Sequence, residues 1–280
     1  MSIEKIVSKY SLAPVENVKK VNPSGFWDST KLKDILTYSE LEWMKNNFTS
    51  FSLKHYKSLE YLDLTSVNCD FICKDFFESK SIEEISKLGG KLKLNNSFCT
   101  LFNLKKINFN SVHITTLPKN FGNLTNLEVL NLSDTSIKKL PKSISKLTKL
   151  REITIYKKLS NIEVEFPYSL EKIDLRANKL IDIPKNLFSL PKLKYIDIST
   201  NPFFNIPFVE NDVLETLIIE DTPFGLFKSN LEKIKPYLKR CDIVGGRYGR
   251  FVDVENTTEY LPTDKKYYSK KYPNGYHSHH

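Results

Sequence analysis

One phrase recurs six times between Leu104 and Phe224, and its spacing restricts the possible folds more than any other feature of the chain. Two of the copies read LEVLNLSDTSIKKLP and LEKIDLRANKLIDIP. The copies begin at Leu104, Leu127, Leu150, Leu170, Leu193 and Leu214, at steps of 23, 23, 20, 23 and 21 residues. Repetition at a period of about 20 to 50 residues predicts a solenoid, whose coils stack because none can bury its apolar face alone.

The fixed positions of the phrase have structural reasons. Leu130 and Leu132 alternate with polar residues, which predicts a short strand with one buried face. Pro141 ends the pairing because it has no amide hydrogen to donate. The stretches FGNLTNL and ISKLTKL space apolar residues three apart, which predicts a short helical turn in each coil.

The phrase L-x-x-L-x-L-x-x-N/T-x-L-x-x-L/I-P resembles that of the leucine-rich repeat family. It is most similar to the 23-residue intracellular type with an LP step, as in Ras-pathway scaffold proteins and plant intracellular repeat proteins. The resemblance implies an α/β fold, a curved right-handed solenoid with a parallel sheet on its concave face. It also implies that Asn178 and Asn201 hydrogen-bond backbone groups in the turn.

Other copies depart from the asparagine position of the phrase. Thr135 and Thr222 are tolerated replacements, whereas Val112 has no polar group to hydrogen-bond. The copy from Leu150 carries Lys158 there and lacks the next apolar residue in register. We therefore expect an irregular loop around residues 157–167.

Upstream, the phrase LEYLDLTSVNC begins at Leu59, 45 residues before Leu104, so one further coil should lie between them. The stretch SIEEISKL predicts a short amphipathic helix, and GKLKLNN predicts a strand. The repeat register between residues 67 and 103 stays open at this level. We expect seven or eight coils in all.

The chain is expected to divide into four parts. A solenoid exposes its core at both ends, so atypical flanking elements are needed to cover it. Residues 1–55 are therefore predicted to form a helical cap, the alternative being a separate adaptor motif such as a degenerate F-box-like helix set. In the C-terminal cap, SNLEKIKPYLKR predicts a helix with Ser229 as N-cap and a break at Pro236. The four parts are a helical cap over 1–55, the leucine-rich repeat domain over 56–225, a C-terminal cap of helix plus hairpin over 226–262 and a flexible Lys/Tyr-rich tail over 263–280.

The sequence predicts a cytoplasmic protein. Its first residues, MSIEKIVSKYSLAPVEN, carry charges and no apolar run, so neither a signal peptide nor a membrane span is expected. The four cysteines have no metal-ligand spacing and do not pair as in secreted repeat proteins, which predicts free thiols. They are Cys69, Cys73, Cys99 and Cys241.

Catalytic chemistry is not predicted. Only His55 and His113 lie inside the expected folded region, and the nine glycines form no phosphate-binding loop. We expect a protein without enzymatic activity, cofactor or metal.

Function then depends on the side chains that the strands turn outward, at the third, fifth and seventh positions of each phrase. These positions are polar, mixed in charge and acidic toward the C-terminal coils. The predicted partner-binding set is Tyr61, Asp63, Asn108, Asn110, Asn131, Ser133, Glu152, Thr154, Tyr156, Lys172, Asp174, Arg176, Tyr195, Asp197, Ser199, Ile218 and Glu220.

The net charge of +9 does not come from these positions. A nucleic acid bound in the concavity would require basic side chains there, since phosphate neutralisation supplies most of the affinity. We therefore predict a protein-interaction scaffold that holds an unknown partner protein in its concave face. Tyr61, Tyr156, Arg176 and Tyr195 are the expected anchors, because tyrosine and arginine dominate interface energetics.

Two alternatives stay open. One is a nucleic-acid-associated protein that uses its basic exterior and tail, where aromatic rings and cations interleave as in single-strand binders. The tail residues concerned are Lys265, Lys266, Tyr267, Tyr268, Lys270, Lys271 and Tyr272, which are equally expected in a solubilising tail without contacts. The other is a structural component of a larger, for example viral, assembly.

Overall fold

The computed structural model describes residues 20–21, 57–65, 77–207, 209–238 and 241–246. Within them the chain forms one parallel sheet of ten strands, which follow one another in space in the order of the sequence. The strands are β1 (Lys20–Val21), β2 (Tyr61–Asp63), β3 (Glu84–Leu88), β4 (Lys106–Asn110), β5 (Val129–Asn131), β6 (Glu152–Thr154), β7 (Lys172–Asp174), β8 (Tyr195–Asp197), β9 (Thr216–Ile218) and β10 (Asp242–Val244). This order, with one strand per coil, is that of a leucine-rich-repeat solenoid.

The coil missing from the sequence pattern begins at Ile82, 23 residues after Leu59 and 22 before Leu104. Strands β2 to β9 thus belong to eight coils, the upper of the two predicted numbers. At the ends of the sheet, β1 pairs with β2 and β10 with β9, although neither end strand carries the leucine phrase.

Two predictions in this coil were wrong. The stretch SIEEISKL contains strand β3 and not a helix, because Ile85 pairs in register with Leu62 on one side and Ile107 on the other. Its apolar residues are spaced as on a helix, yet pairing with two neighbouring strands prevails over that local pattern. The stretch GKLKLNN is not a strand either, since only Lys91 forms a bridge, with His113.

The core runs the length of the described coils as columns of stacked apolar side chains. The fourth position of each phrase is fully buried, and in-register pairing places each side chain on its neighbour. Burying one leucine or isoleucine contributes about 1.5–3 kcal/mol, so the columns dominate stability. The fourth-position residues are Leu62, Ile85, Ile107, Leu130, Ile153, Ile173, Ile196 and Leu217.

The convex side is built of short 3₁₀ helices, which confirms the predicted helical turns. In the repeats these helices are Asn96–Thr100, Phe121–Asn123, Lys142–Lys146 and Lys185–Ser189. The coil from Leu150 has no helix or strand between β6 and β7, as expected for residues 157–167.

The asparagines of the phrase connect adjacent coils. Asn201 is fully buried, and its Oδ1 accepts a hydrogen bond from the Leu180 amide of the preceding coil at 3.1 Å. Its Nδ2 donates to the carbonyl oxygens of Leu175 and Ile198 at 2.9 and 3.0 Å. The turn role implied for this position is confirmed, because the amide satisfies backbone groups that the turn would leave unpaired.

After the last repeat the chain forms helix α1 (Lys228–Ile234) and a 3₁₀ helix, Lys235–Tyr237. The predicted break at Pro236 is confirmed, but the N-cap is Phe227 and not Ser229, and no side chain caps the helix. Except for β1, the predicted helical cap over 1–55 lies outside the described residues. So do His55, Cys69, Cys73, the segment predicted as a hairpin after residue 246 and the tail over 263–280.

Candidate functional site

The outward positions form three columns across the sheet, which we call the concave face. The strand register places each residue beside its equivalent in the next coil. The third-position column is Lys20, Tyr61, Glu84, Lys106, Val129, Glu152, Lys172, Tyr195, Thr216 and Asp242. The fifth-position column is Asp63, Ser86, Asn108, Asn131, Thr154, Asp174, Asp197, Ile218 and Val244. The seventh-position residues Thr65, Leu88, Asn110, Ser133, Tyr156, Arg176, Ser199 and Glu220 continue the same alternation.

Side chains in the fifth column hold the backbone of the strand ends. Asp63 Oδ1 accepts from the Thr65 amide at 2.8 Å, and Asp197 Oδ1 accepts from the Ser199 amide at 3.0 Å. Ser199 Oγ also donates to Asp197, at 2.6 Å. A carboxylate that accepts hydrogen bonds two residues on, as in an Asx turn, fixes the turn that follows each strand.

Not every predicted binding residue is accessible on the concave face. Asp174 is 7% exposed and Asp197 3%, and Ser133 and Ser199 are also buried. Their side chains satisfy local backbone or side-chain groups, so they contribute to the charge and shape of the face more than to its accessible surface.

Arg176 is held in place from two sides. Its guanidinium carbon lies 5.9 Å from the centre of the Tyr156 ring. Its Nε is 3.3 Å from Asp174 Oδ2. A guanidinium that lies over an aromatic ring and pairs with a carboxylate loses less freedom on binding than an uncontacted one.

A second cation–π pair lies on the other side of the acidic residues. Lys172 Nζ lies 5.1 Å from the centre of the Tyr195 ring. Burial raises the pKa of the Tyr195 hydroxyl, and the Asp197 and Asp174 carboxylates raise it further. The structure therefore brings together a central patch on β6, β7 and β8. It consists of Tyr156, Lys172, Asp174, Arg176, Tyr195 and Asp197.

Tyr61, the fourth predicted anchor, lies apart from this patch. Its strand β2 is four strands from β6, which is roughly 19 Å at the usual spacing of about 4.8 Å. Its hydroxyl is 2.9 Å from Ser86 Oγ. Tyr61 would therefore contact a different part of a ligand.

Two carboxylates stand side by side in the central patch, Asp174 on β7 and Asp197 on β8. Burial raises the pKa of Asp174, the hydrogen bond from the Arg176 amide lowers it, and the neighbouring Asp197 raises it again, for a net increase. The charges of Arg176 and Lys172 lower this pKa in part, so these two cations already offset some of the charge of the pair.

The whole concave face is acidic although the chain is basic. Its carboxylates are Asp63, Glu84, Glu152, Asp174, Asp197, Glu220 and Asp242. Its cations are Lys106, Lys172 and Arg176, with Lys20 at the register position beside Tyr61, so the carboxylates still outnumber them. The excess of basic groups, with a net charge of +9 for the chain, must lie elsewhere.

The sequence pattern did not reveal Glu84, Ser86 and Leu88 on β3, Asp242 and Val244 on β10, or the register position of Lys20 on β1. Counting 23 residues on from Leu59 would have found the first three, because Ile82 begins that coil. No comparable signal marks β10.

Neither described thiol is an activated nucleophile. Burial raises the pKa of the Cys99 thiol to about 11. Burial and the adjacent Asp242 raise that of Cys241 to about 11. In the part of the chain that the structure describes, no three or more His, Cys, Asp or Glu side chains are grouped to hold a metal ion. No helix there is long and apolar enough to cross a bilayer.

Comparison with known proteins places the chain among repeat proteins. The family model for leucine-rich repeat regions matches residues 44–218. No curated protein matches the sequence.

Three solved structures illustrate the likeness of fold. A leucine-rich repeat protein of Leptospira interrogans is 25% identical with a TM-score of 0.52, over 70% of this chain and 59% of that one. An internalin (InlF) of Listeria monocytogenes is 17% identical with a TM-score of 0.53, over 76% and 68%. TLR13, in a TLR13–ssRNA13 complex, is 25% identical with a TM-score of 0.56, over 72% and 31%.

Proposed function

The chain belongs to the leucine-rich repeat family, and on that premise we propose that it is a non-enzymatic scaffold that binds a partner protein on its concave face. This fold in general suggests a protein-interaction role, but function has to be argued from the site that an individual chain carries. Here the site is the concave face, with the central patch as its energetic centre.

The observation that carries this proposal is the separation of charge. A basic chain, with a net charge of +9, presents a concave face on which carboxylates outnumber cations. Complementary potentials increase association rates and select against partners of the wrong charge. The partner surface is therefore basic, and nucleic acid is disfavoured on this face.

The central patch supplies anchors within that acidic surface. Arginine and tyrosine are enriched among residues that dominate interface energies. Arg176 and Tyr195 are already held by neighbouring side chains, so binding costs them less conformational entropy than it costs mobile side chains. Tyr156 contributes an amphipathic ring next to Arg176.

These structural relatives do not identify the partner. The internalin, at 17% identity, supports the fold alone. The TLR13 complex contains single-stranded RNA, but RNA on this concave face would have to lie against the carboxylates of Asp174, Asp197 and Glu220. A protein partner fits the observed charges better.

We expect the double substitution Tyr156→Ala and Arg176→Glu to weaken the affinity for the partner by about 30-fold or more, the loss typical of hot-spot residues. Partner capture from native lysate should then be lost. The matched control, Tyr168→Ala with Lys146→Glu, changes the same kinds of side chain at exposed positions outside the three columns. Circular dichroism establishes that both variants fold. Equal recovery of the partner by wild type and the concave-face variant would refute the proposal, whereas its selective loss would support it.

A further inference from the structure

A cavity of about 260 Å³ lies away from the concave face, between the second and third coils. It is formed by the loops that follow β3 and β4, beyond the turn that ends each strand. Its polar lining consists of Lys91, Lys93, His113, Thr115 and Thr116, and Leu92 belongs to its apolar part.

The cavity wall is fixed by the backbone. The His113 amide donates to the Gly90 carbonyl oxygen at 2.7 Å, and the Leu92 amide donates to the His113 carbonyl oxygen at 3.4 Å. His113 Nδ1 is 3.0 Å from Ser136 Oγ in the next coil. This contact orients the imidazole and leaves Nε2 as the ring nitrogen available to a ligand.

The described lining of this cavity carries positive charge with no carboxylate. Some lysines of other coils pair with carboxylates on the adjacent coil. Examples are Lys105 with Glu83 at 2.9 Å, Lys157 with Asp134 at 2.7 Å and Lys194 with Glu215 at 2.8 Å.

Lys91 and Lys93 form no such ion pair with any residue that the structure describes. The equivalent positions one coil on are His113 and Thr115, neither of which is an acid. No carboxylate belongs to the described cavity lining. Among the described residues, Lys91 and Lys93 therefore lie without a carboxylate partner at a cavity that is also lined by hydrogen-bond donors.

These groups match a phosphate oxyanion. Lysine ammonium groups provide positive charge, while threonine hydroxyls and an imidazole N–H provide directed donors to separate oxygens. Pockets for drug-sized ligands measure about 300–1,000 Å³, so this smaller cavity suits one phosphate group more than a nucleotide. A monoester carries about −1.5 to −2 charges near pH 7, which two lysines can balance.

We infer that this cavity binds a phosphate group, held by Lys91, Lys93 and the donors of the adjacent coil. The group is carried either by a phosphorylated side chain of a peptide or by a small free phosphate. This site is independent of the concave face, so its failure would leave the proposed function untouched.

Calorimetric titration of the full chain tests the inference. The probes are inorganic phosphate, a short peptide containing phosphoserine, the same peptide unphosphorylated and a short single-stranded RNA. Binding of the phosphopeptide but not of its unphosphorylated form supports the site, and equally tight inorganic phosphate would assign it to free phosphate. The inference would be overturned if neither inorganic phosphate nor the phosphopeptide bound. RNA binding as tight as that of the phosphopeptide would also overturn it.

The variant Lys91→Ala with Lys93→Ala is expected to weaken phosphate binding about tenfold or more. The matched control, Lys142→Ala with Lys146→Ala, removes the same charge from exposed positions outside the cavity and is expected to bind within about twofold of wild type. Equal weakening in both variants would mean that net charge alone attracts phosphate, and the cavity site would be rejected. Thr115→Val, which keeps both lysines, is expected to weaken binding by a smaller factor.

Discussion

Replacing Asn178 by alanine is expected to lower the free energy of unfolding by about 3–4 kcal/mol, a large part of the about 5–15 kcal/mol of a typical domain. Asn178 is 2% exposed. Its Nδ2 donates to the carbonyl oxygens of Ile155 and Leu175 at 2.7 and 2.8 Å. Its Oδ1 accepts from the Leu159 amide at 2.9 Å. Alanine would leave these buried backbone groups unpaired, and each costs about 1–3 kcal/mol.

This asparagine also supports the irregular coil before it. That coil has the exposed Lys158 where four other coils carry asparagine or threonine. Asn178 of the next coil therefore supplies the hydrogen bonds to Ile155 and Leu159. Urea denaturation measures the loss, with Asn123→Ala as the matched control at an exposed position. We expect that control to change stability by about 0.5 kcal/mol or less. A similar effect of both substitutions would contradict the assigned role of Asn178.

Replacing Gly122 by alanine is expected to cost about 3 kcal/mol, because the added methyl group meets the backbone of the next coil. A Cβ atom there would lie 2.1 Å from the Ser143 carbonyl oxygen and 2.9 Å from the Ser143 carbonyl carbon. The Gly122 amide also donates to Ser143 Oγ at 3.0 Å. Relieving the clash requires the two coils to move apart, which weakens the packing on which a solenoid depends.

Gly89→Ala separates this steric effect from backbone strain. Gly89 has a φ of 69°, but a Cβ atom there would meet nothing within 4 Å. Only the left-handed conformation is penalised at that position, by about 1 kcal/mol. Thermal or urea denaturation of both variants measures the two losses of stability. A loss at Gly122 no larger than that at Gly89 would show that the coils can separate at little cost.

The regular coils could be predicted because each position of the phrase has the same structural role in every regular copy. The columns of Leu130 and its equivalents, and the outward residues between them, follow directly from strand alternation. The second coil was missed because Lys87 occupies a core-facing position and Leu88 is exposed, the reverse of the pattern. The buried Lys87 is accommodated because its Nζ donates a hydrogen bond to the Leu64 carbonyl oxygen at 3.2 Å. The strand of Ile243 joins the sheet without a leucine phrase, by pairing with β9 and by packing Ile243 against the core.

The strand positions of the candidate site could be predicted from the sequence, but the burial of its side chains could not. Alternation correctly places Asp174 and Asp197 in the outward column, yet it cannot show that neighbouring side chains cover them. The contact of Arg176 with Tyr156 depends on rotamers that a sequence does not reveal. The phosphate cavity joins residues about one repeat apart, such as Lys93 and Thr115, whose proximity appears only once the coil register is known.

Site-specific photocross-linking tests the central claim, that the concave face binds the partner. A benzophenone amino acid would replace Tyr195 on the concave face or Tyr168, which is 74% exposed and lies outside the three columns. After irradiation in native lysate, we expect a covalent partner adduct from position 195 and none from position 168. An adduct from position 168 with none from position 195 would contradict it.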